Sequence, residues 1–426
     1  MNVLHYINRW LFGNEKSIAR NTAIWNFISS VEYSLQSAIL MMVITRVNGL
    51  FDAGVFLIAY SVTQMMTTIG NYGMRSFQAS DVKEEFSFKT YLSSRIVSVV
   101  AMVIICMSYS FLQHYDVQRL TIIVVLCGYR LVECVEDIFH GEMQRSLRLD
   151  VASKIWGIRI FGDTVTFFIA YVLTKDLLIA SVSMFCSALL VSLVLNSCAC
   201  KLFDKVVISL KWDNTLKLLW ECLPVCIGGF LYTYLVNAPK YAIDRNMSEE
   251  MQTIFNILFM PVFVINMLSM FVYKPLIAKM GIPWTNHKQK ELIRTLLTQV
   301  GVILAITIIV IVGGVVIGLD ILGLLYGVKL SSYKGMFALL LLFGGFAALA
   351  AFFVVGLTVT RKQQYVLVAY LVALLVVLVS IDRLVIQYGL LGASISYGLG
   401  MGIVMFILGT ALVITIIREQ KKIIYI

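Results

Sequence analysis

Apolar runs of helix-spanning length recur along almost the whole chain, and they constrain its fold more than any other feature. A helix crosses a hydrocarbon core of about 30 Å with roughly 20 apolar residues. Twelve runs fit: approximately Ala23–Ile44, Ala53–Gly73, Ile96–Leu112, Leu120–Phe139, Ile155–Leu173, Leu177–Asn196, Leu218–Leu235, Met251–Val272, Leu296–Leu319, Met336–Val359, Tyr365–Ile381 and Leu390–Ile417. The fourth run carries Arg130, Glu133, Glu136 and Asp137, and the eleventh is short. Sixty per cent of the 426 residues are apolar and 14% are charged. A soluble fold of this length needs about a quarter of its residues charged, so the composition excludes it and excludes disorder as well.

The charges orient the spans. With the amino terminus inside, inner segments carry 25 of the 34 lysines and arginines and outer segments 8, with Arg130, within the fourth span, completing the count. Arg95, Lys154 and Arg159 are counted inside and Lys240 outside. The bias alternates loop by loop, as the positive-inside rule requires, and is lost if the fourth span is removed. The net charge of +10 therefore records orientation, and no nucleic-acid partner is expected. The expected architecture is an all-α integral membrane protein of about 12 transmembrane helices in two six-helix lobes, both termini cytoplasmic. Residues 1–200 form the first lobe, 201–217 an inter-lobe loop on the cytoplasmic side and 218–426 the second lobe. Met1–Arg20 mixes charged and apolar residues, so no cleavable signal is expected.

Ionisable groups at membrane depth are costly, which makes them the first candidates for function. On the fourth span Arg130, Glu133, Asp137, His140, Gln144 and Arg148 fall on one helical face, with Glu136 beside it. One reading is a structural pair, Arg130 to Glu133 at i,i+3. The other is a wet lumen, in which Glu133 and Asp137, like charges one turn apart, are candidates for proton coupling. Gln64, Thr68, Asn71, Arg75 and Gln78 repeat on one face of the second span, and Asn26, Ser30, Tyr33 and Ser37 on one face of the first, with Glu32 offset. Singly these are inter-helix hydrogen-bonding residues; together they suit a cavity for a hydroxyl-rich anion. Arg159 and Asp163 at i,i+4 belong to that wall or form a structural pair. All five prolines, Pro224, Pro239, Pro261, Pro275 and Pro283, lie in or near the seventh and eighth spans, where Pro224 and Pro261 are candidates for a gate.

Other signals are weak. The eight cysteines lie mostly in apolar runs and read as small hydrophobes. Gly398, Gly400 and Gly402 lack the lysine of a phosphate loop and suit close helix packing. No Walker motif, metal-ligand cluster or nucleophile elbow is present, so no cofactor is expected.

Several segments resemble the oligosaccharide-lipid flippases of polysaccharide biosynthesis, in particular the O-antigen unit flippases. That family shares a superfamily with the multidrug and toxic-compound extruders. The resemblance is carried by Arg46 to Asp81, with Gly49, Asp52 and Gly54 before a polar span closing on Tyr72-Gly73-Met74-Arg75-Ser76-Phe77-Gln78. It is also carried by Pro239-Lys240-Tyr241-Ala242-Ile243-Asp244, Met260-Pro261, Lys274-Pro275 and Gly389-Leu390-Leu391-Gly392-Ala393-Ser394. It implies translocation of an undecaprenyl pyrophosphate-linked oligosaccharide across the bacterial inner membrane by alternating access, with protons as the candidate coupling ion and polysaccharide-assembly proteins as candidate partners. Arg75 and Arg130 are the candidates for the pyrophosphate or acidic sugars. The alternative is a drug exporter of the same superfamily. A membrane glycan polymerase or ligase is a third reading, disfavoured because no long outer loop fits between the spans.

Overall fold

The computed structural model describes residues 10–12, 18–81, 85–199, 212–273, 280, 283–284, 288–360, 362 and 364–424. Helices account for nearly all of them. In order they are α1 Ile18–Asn48, α2 Leu50–Asn71, α3 Met74–Ser80, α4 Phe88–Leu112, α5 Val117–Arg145, α6 Leu149–Thr174 and α7 Leu177–Ala199. There follow α8 Trp212–Asn246, α9 Glu249–Tyr273, α10 Gln289–Gly313, α11 Leu319–Tyr326, α12 Lys334–Val359 and α13 Gln364–Ile424. Residues 201–211 of the expected inter-lobe loop, Cys200 and the Lys274-Pro275 pair lie outside the described residues.

Ten segments are long and apolar enough to cross a membrane, α10 and α11 counting as one because a π-turn, Gly314–Gly318, joins them. Two further crossings complete the expected number. Helix α5 has 29 residues, about 43 Å at 1.5 Å per residue, and misses the apolar criterion because of its charges. Helix α13 has 61 residues, far more than one crossing needs, and Gly389 divides it with φ 58° and ψ −134°. Such a backbone is open to glycine alone.

The chain forms two compact units, Met1–Phe230 and Leu231–Ile426. In the first, α1 packs along α6 and α6 along α7, while α5 touches α2, α3, α4, α6 and α7. The least apolar span is therefore surrounded by protein, which is how its charges are kept from lipid. In the second unit α12 packs on α13, α9 and α10.

Short links hold the hairpins. Gly49 joins α1 to α2 at φ 95°, and the Asn48 amide donates to Asp52 and to the carbonyl of Lys175, each at 2.8 Å. Tyr171 also donates to Asp52, at 3.2 Å, so this acid fastens two hairpin ends. Tyr72 and Gly73 are both left-handed and turn the chain from α2 into α3. A side chain at Gly73 would meet Val225, a second reason for glycine there. All seven described cysteines are free, and all but Cys186 are buried.

Candidate functional site

Three neighbouring acids of α5 each meet arginine. Asp137 accepts from Arg75 of α3 at 3.2 Å and from Arg95 of α4 at 2.9 Å. Glu133 accepts from Arg130 at 2.6 Å and lies 3.5 Å from Arg159 of α6. Glu136 pairs with Arg159, which also donates to Asp163 at 3.0 Å and to the Tyr129 hydroxyl at 3.1 Å. Four guanidiniums thus face four carboxylates, a neutral set inside the first unit.

Neutral groups complete the network. Arg95 is fully buried and also donates to the Gly70 carbonyl and, at 3.2 Å, to Asn71. Arg130 lies over the Tyr60 ring, 4.4 Å from its centroid, so the aromatic face shares the charge with Glu133. The Asn196 amide reaches Glu136 at 3.4 Å, and buried His140 lies 3.8 Å from the same carboxylate. Along α5, Arg130 and Glu133 stand about 22 and 18 Å from the Arg145 end of a roughly 43 Å helix, hence near mid-membrane.

A second cluster closes the Arg145 end. Gln78 of α3 donates to Glu142 at 2.8 Å, and Glu142 pairs with Arg145. Gly141 permits this approach, because a methyl group there would overlap the Gln78 amide. Asp81 then accepts from the backbone N–H groups of Glu85 and Phe86 at 2.9 and 3.0 Å and from Tyr91 at 3.1 Å. Burial opposes ionisation of Asp81, but these donors outweigh it and hold its carboxyl below the usual value.

The residues expected to line a cavity divide into two groups. Arg75, Asn71, Arg130, Glu133 and Asp137 join the ion network and Gln78 the cluster beside it. Tyr33 packs against Trp156 with tilted rings 5.3 Å apart, Gln64 is half-buried on α2 and Asn26 is exposed on α1. Pro224 and Pro261 both sit in helices that run through them, α8 and α9. The repulsion expected between Glu133 and Asp137 is offset, since each is engaged by two arginines.

Three charges counted with inner loops belong instead to the buried interior. Arg95 and Arg159 are fully buried, and Lys154 is buried with its ammonium on the carbonyls of Trp10 and Leu11 at 3.0 Å. Lys240, counted outside, is buried within α8. The apolar runs understate these helices, because a helix begins at its cap rather than at its first apolar residue. Ser87 caps α4 through Thr90, which places Arg95 about 12 Å into the helix. The sequence also undervalues Glu32. This α1 carboxylate lies against Gly157 of α6 and has one buried oxygen without a hydrogen-bond partner.

No protein-family model and no curated protein matches this chain. Solved structures do. A multidrug resistance MATE family transporter of the MOP superfamily, in its inward-facing conformation, aligns with a TM-score of 0.65 over 91% of this chain and 95% of its own, at 12% identity. The chain has the fold of the MATE transporters of the MOP superfamily. A MOP superfamily transporter from Pyrococcus furiosus, described as having a binding pocket of reversed polarity that suggests a different function, gives 0.59 at 15% identity over 97% of both chains. A Vibrio cholerae MATE transporter in its bent form gives 0.56 at 12% identity over 98% of both.

Proposed function

We propose that this chain is a transporter working by alternating access, and that its cargo is an anionic, glycan-bearing lipid of the undecaprenyl pyrophosphate-oligosaccharide type. It acts in the bacterial cytoplasmic membrane with both termini cytoplasmic. The observation that carries this reading is Arg75. It belongs to a buried ion network yet remains 32% exposed, the most accessible of the four guanidiniums. A guanidinium held by Asp137 on one side keeps donors for a phosphate or acidic sugar on the other. The fold supports transport, and the reversed pocket polarity described for the Pyrococcus furiosus transporter supports variation of pocket polarity within that fold.

A second reading, a drug exporter, is favoured by Glu32, a membrane-depth carboxylate with no cationic partner among the described residues. Such a group can carry a proton or meet a cation. Reconstitution into liposomes separates the two. Leaflet transfer of a labelled lipid-linked oligosaccharide, dependent on Arg75 and quickened by a pH gradient, supports the flippase. Transfer of a cationic dye without transfer of the oligosaccharide overturns it in favour of the exporter.

A further inference from the structure

Within the second unit one cation is buried without an acid. Lys240 is 8% exposed, six residues before the end of α8, and no carboxylate pairs with it among the described residues. Its ammonium lies 5.5 Å from the centroid of the Phe259 ring on α9. Tyr397 of α13 meets the same ring edge-on at 4.9 Å. A ring face attracts an ammonium but replaces only part of the hydration the ammonium has lost. The charge therefore keeps capacity for an anion.

Buried amides on the same two helices point the same way. Helices α8 and α9 form a hairpin turning at Met247 and Ser248, so Lys240 and Asn256 stand at nearly the same depth. On α9 residues 252, 256 and 259 follow the i, i+4, i+7 spacing of one helical face, and on α8 residues 237 and 240 are one turn apart. Asn237, Gln252 and Asn256 are all buried. The amides of Asn237 and Asn256 each spend one bond on a carbonyl one turn earlier, at 3.0 and 2.8 Å. Gln252 is 1% exposed, and neither its amide nitrogen nor its amide oxygen has a partner. An orphaned buried amide on the face of α9 that carries Phe259, and a buried ammonium over that ring with no acid, are each unfavourable unless a polar group satisfies them.

We propose that Lys240, Gln252, Asn256 and Asn237, over the Phe259–Tyr397 rings, form an anion-binding site that takes the phosphate-type headgroup of the transported lipid. The site deepens the flippase reading and rests on it for the identity of the lipid. It also gives the Pro239–Asp244 segment a chemical role.

The test is equilibrium binding to the full chain in detergent, with farnesyl pyrophosphate, inorganic pyrophosphate and farnesol as probes. The wild type is expected to bind farnesyl pyrophosphate, and Lys240→Met to weaken it about 10- to 100-fold, the value of a hydrogen bond to a charged group. Lys240→Arg retains most of the affinity. Affinity for inorganic pyrophosphate assigns recognition to the free anion; a requirement for the isoprenyl chain assigns it to a lipid headgroup. If Lys240→Met fails to fold, Asn256→Leu carries the test and is expected to weaken binding. Wild-type affinity in Lys240→Met, or in Asn256→Leu where that variant replaces it, overturns the site, as does failure of the wild type to bind either anion. Lysine-dependent binding with no leaflet transfer in liposomes would instead retire the flippase reading and leave the site standing.

Discussion

Replacing Asp137 with asparagine removes the one carboxylate that joins α5 to both α3 and α4. Its two partners are not equivalent. Arg95 is fully buried at 2.9 Å, whereas Arg75 is about one-third exposed at 3.2 Å. At an effective dielectric near 20, charges about 3 Å apart attract by roughly 5 kcal/mol, against which desolvation must be set. Removing one partner of a buried pair costs about 3–5 kcal/mol, because the other charge is stranded. Asparagine keeps an oxygen that accepts from Arg95, and Arg95 keeps the Gly70 carbonyl and Asn71, so the lower end of about 3 kcal/mol applies. The exposed Arg75 pair contributes less than about 1 kcal/mol of this. Double-mutant cycles with Arg95→Met and Arg75→Met, read by reversible unfolding in mixed micelles, separate the two couplings. The expected Asp137–Arg95 coupling exceeds that of Asp137–Arg75 by about 2 kcal/mol. Equal couplings, or the reverse order, would refute the argument from burial.

Arg159→Met leaves Glu136 and Asp163 facing each other without their shared cation, with Glu133 close by, and is expected to be the most damaging single change in the first unit. Loss of folded protein by size-exclusion chromatography, partly restored by adding Glu136→Gln and Asp163→Asn, is the measurement. For Asp81 the folded pKa lies below the unfolded one, so its stabilisation is present above about pH 4 and is lost as pH falls through the folded value. Asp81→Asn should cost about 1 kcal/mol at neutral pH, with the gap to wild type closing on acidification; a gap independent of pH would count against the loop geometry. Gly389→Ala is expected to destabilise by about 1–3 kcal/mol through its backbone alone, since the added methyl meets only Met247 at an ordinary 3.5 Å. Gly228→Ala, in an open stretch of α8, should be neutral or stabilising by up to about 1 kcal/mol; thermal unfolding in detergent measures both glycine variants.

The number and order of the crossings were legible from the residues, because lipid demands a fixed length of apolar helix and leaves little freedom in how the chain meets that demand. Even the fourth span could be read, since the alternation of loop charge fails without it. The Arg130–Glu133 pair was also readable, as both groups lie on one helix at a spacing that helical geometry fixes. The partners of Asp137, Glu136 and Lys240 were not. They come from other helices, and which face of α4, α6 or α9 turns toward them depends on packing rather than on any local pattern. Arg95 and Arg159 were hidden for the same reason: a charge near a span's end looks identical in sequence whether it snorkels to the surface or turns inward to a carboxylate. Sequence alone thus determined that charges lie within the membrane's depth. Only the tertiary structure decided which charges on different helices neutralise one another, and that Lys240 and Glu32 remain without an oppositely charged partner among the described residues.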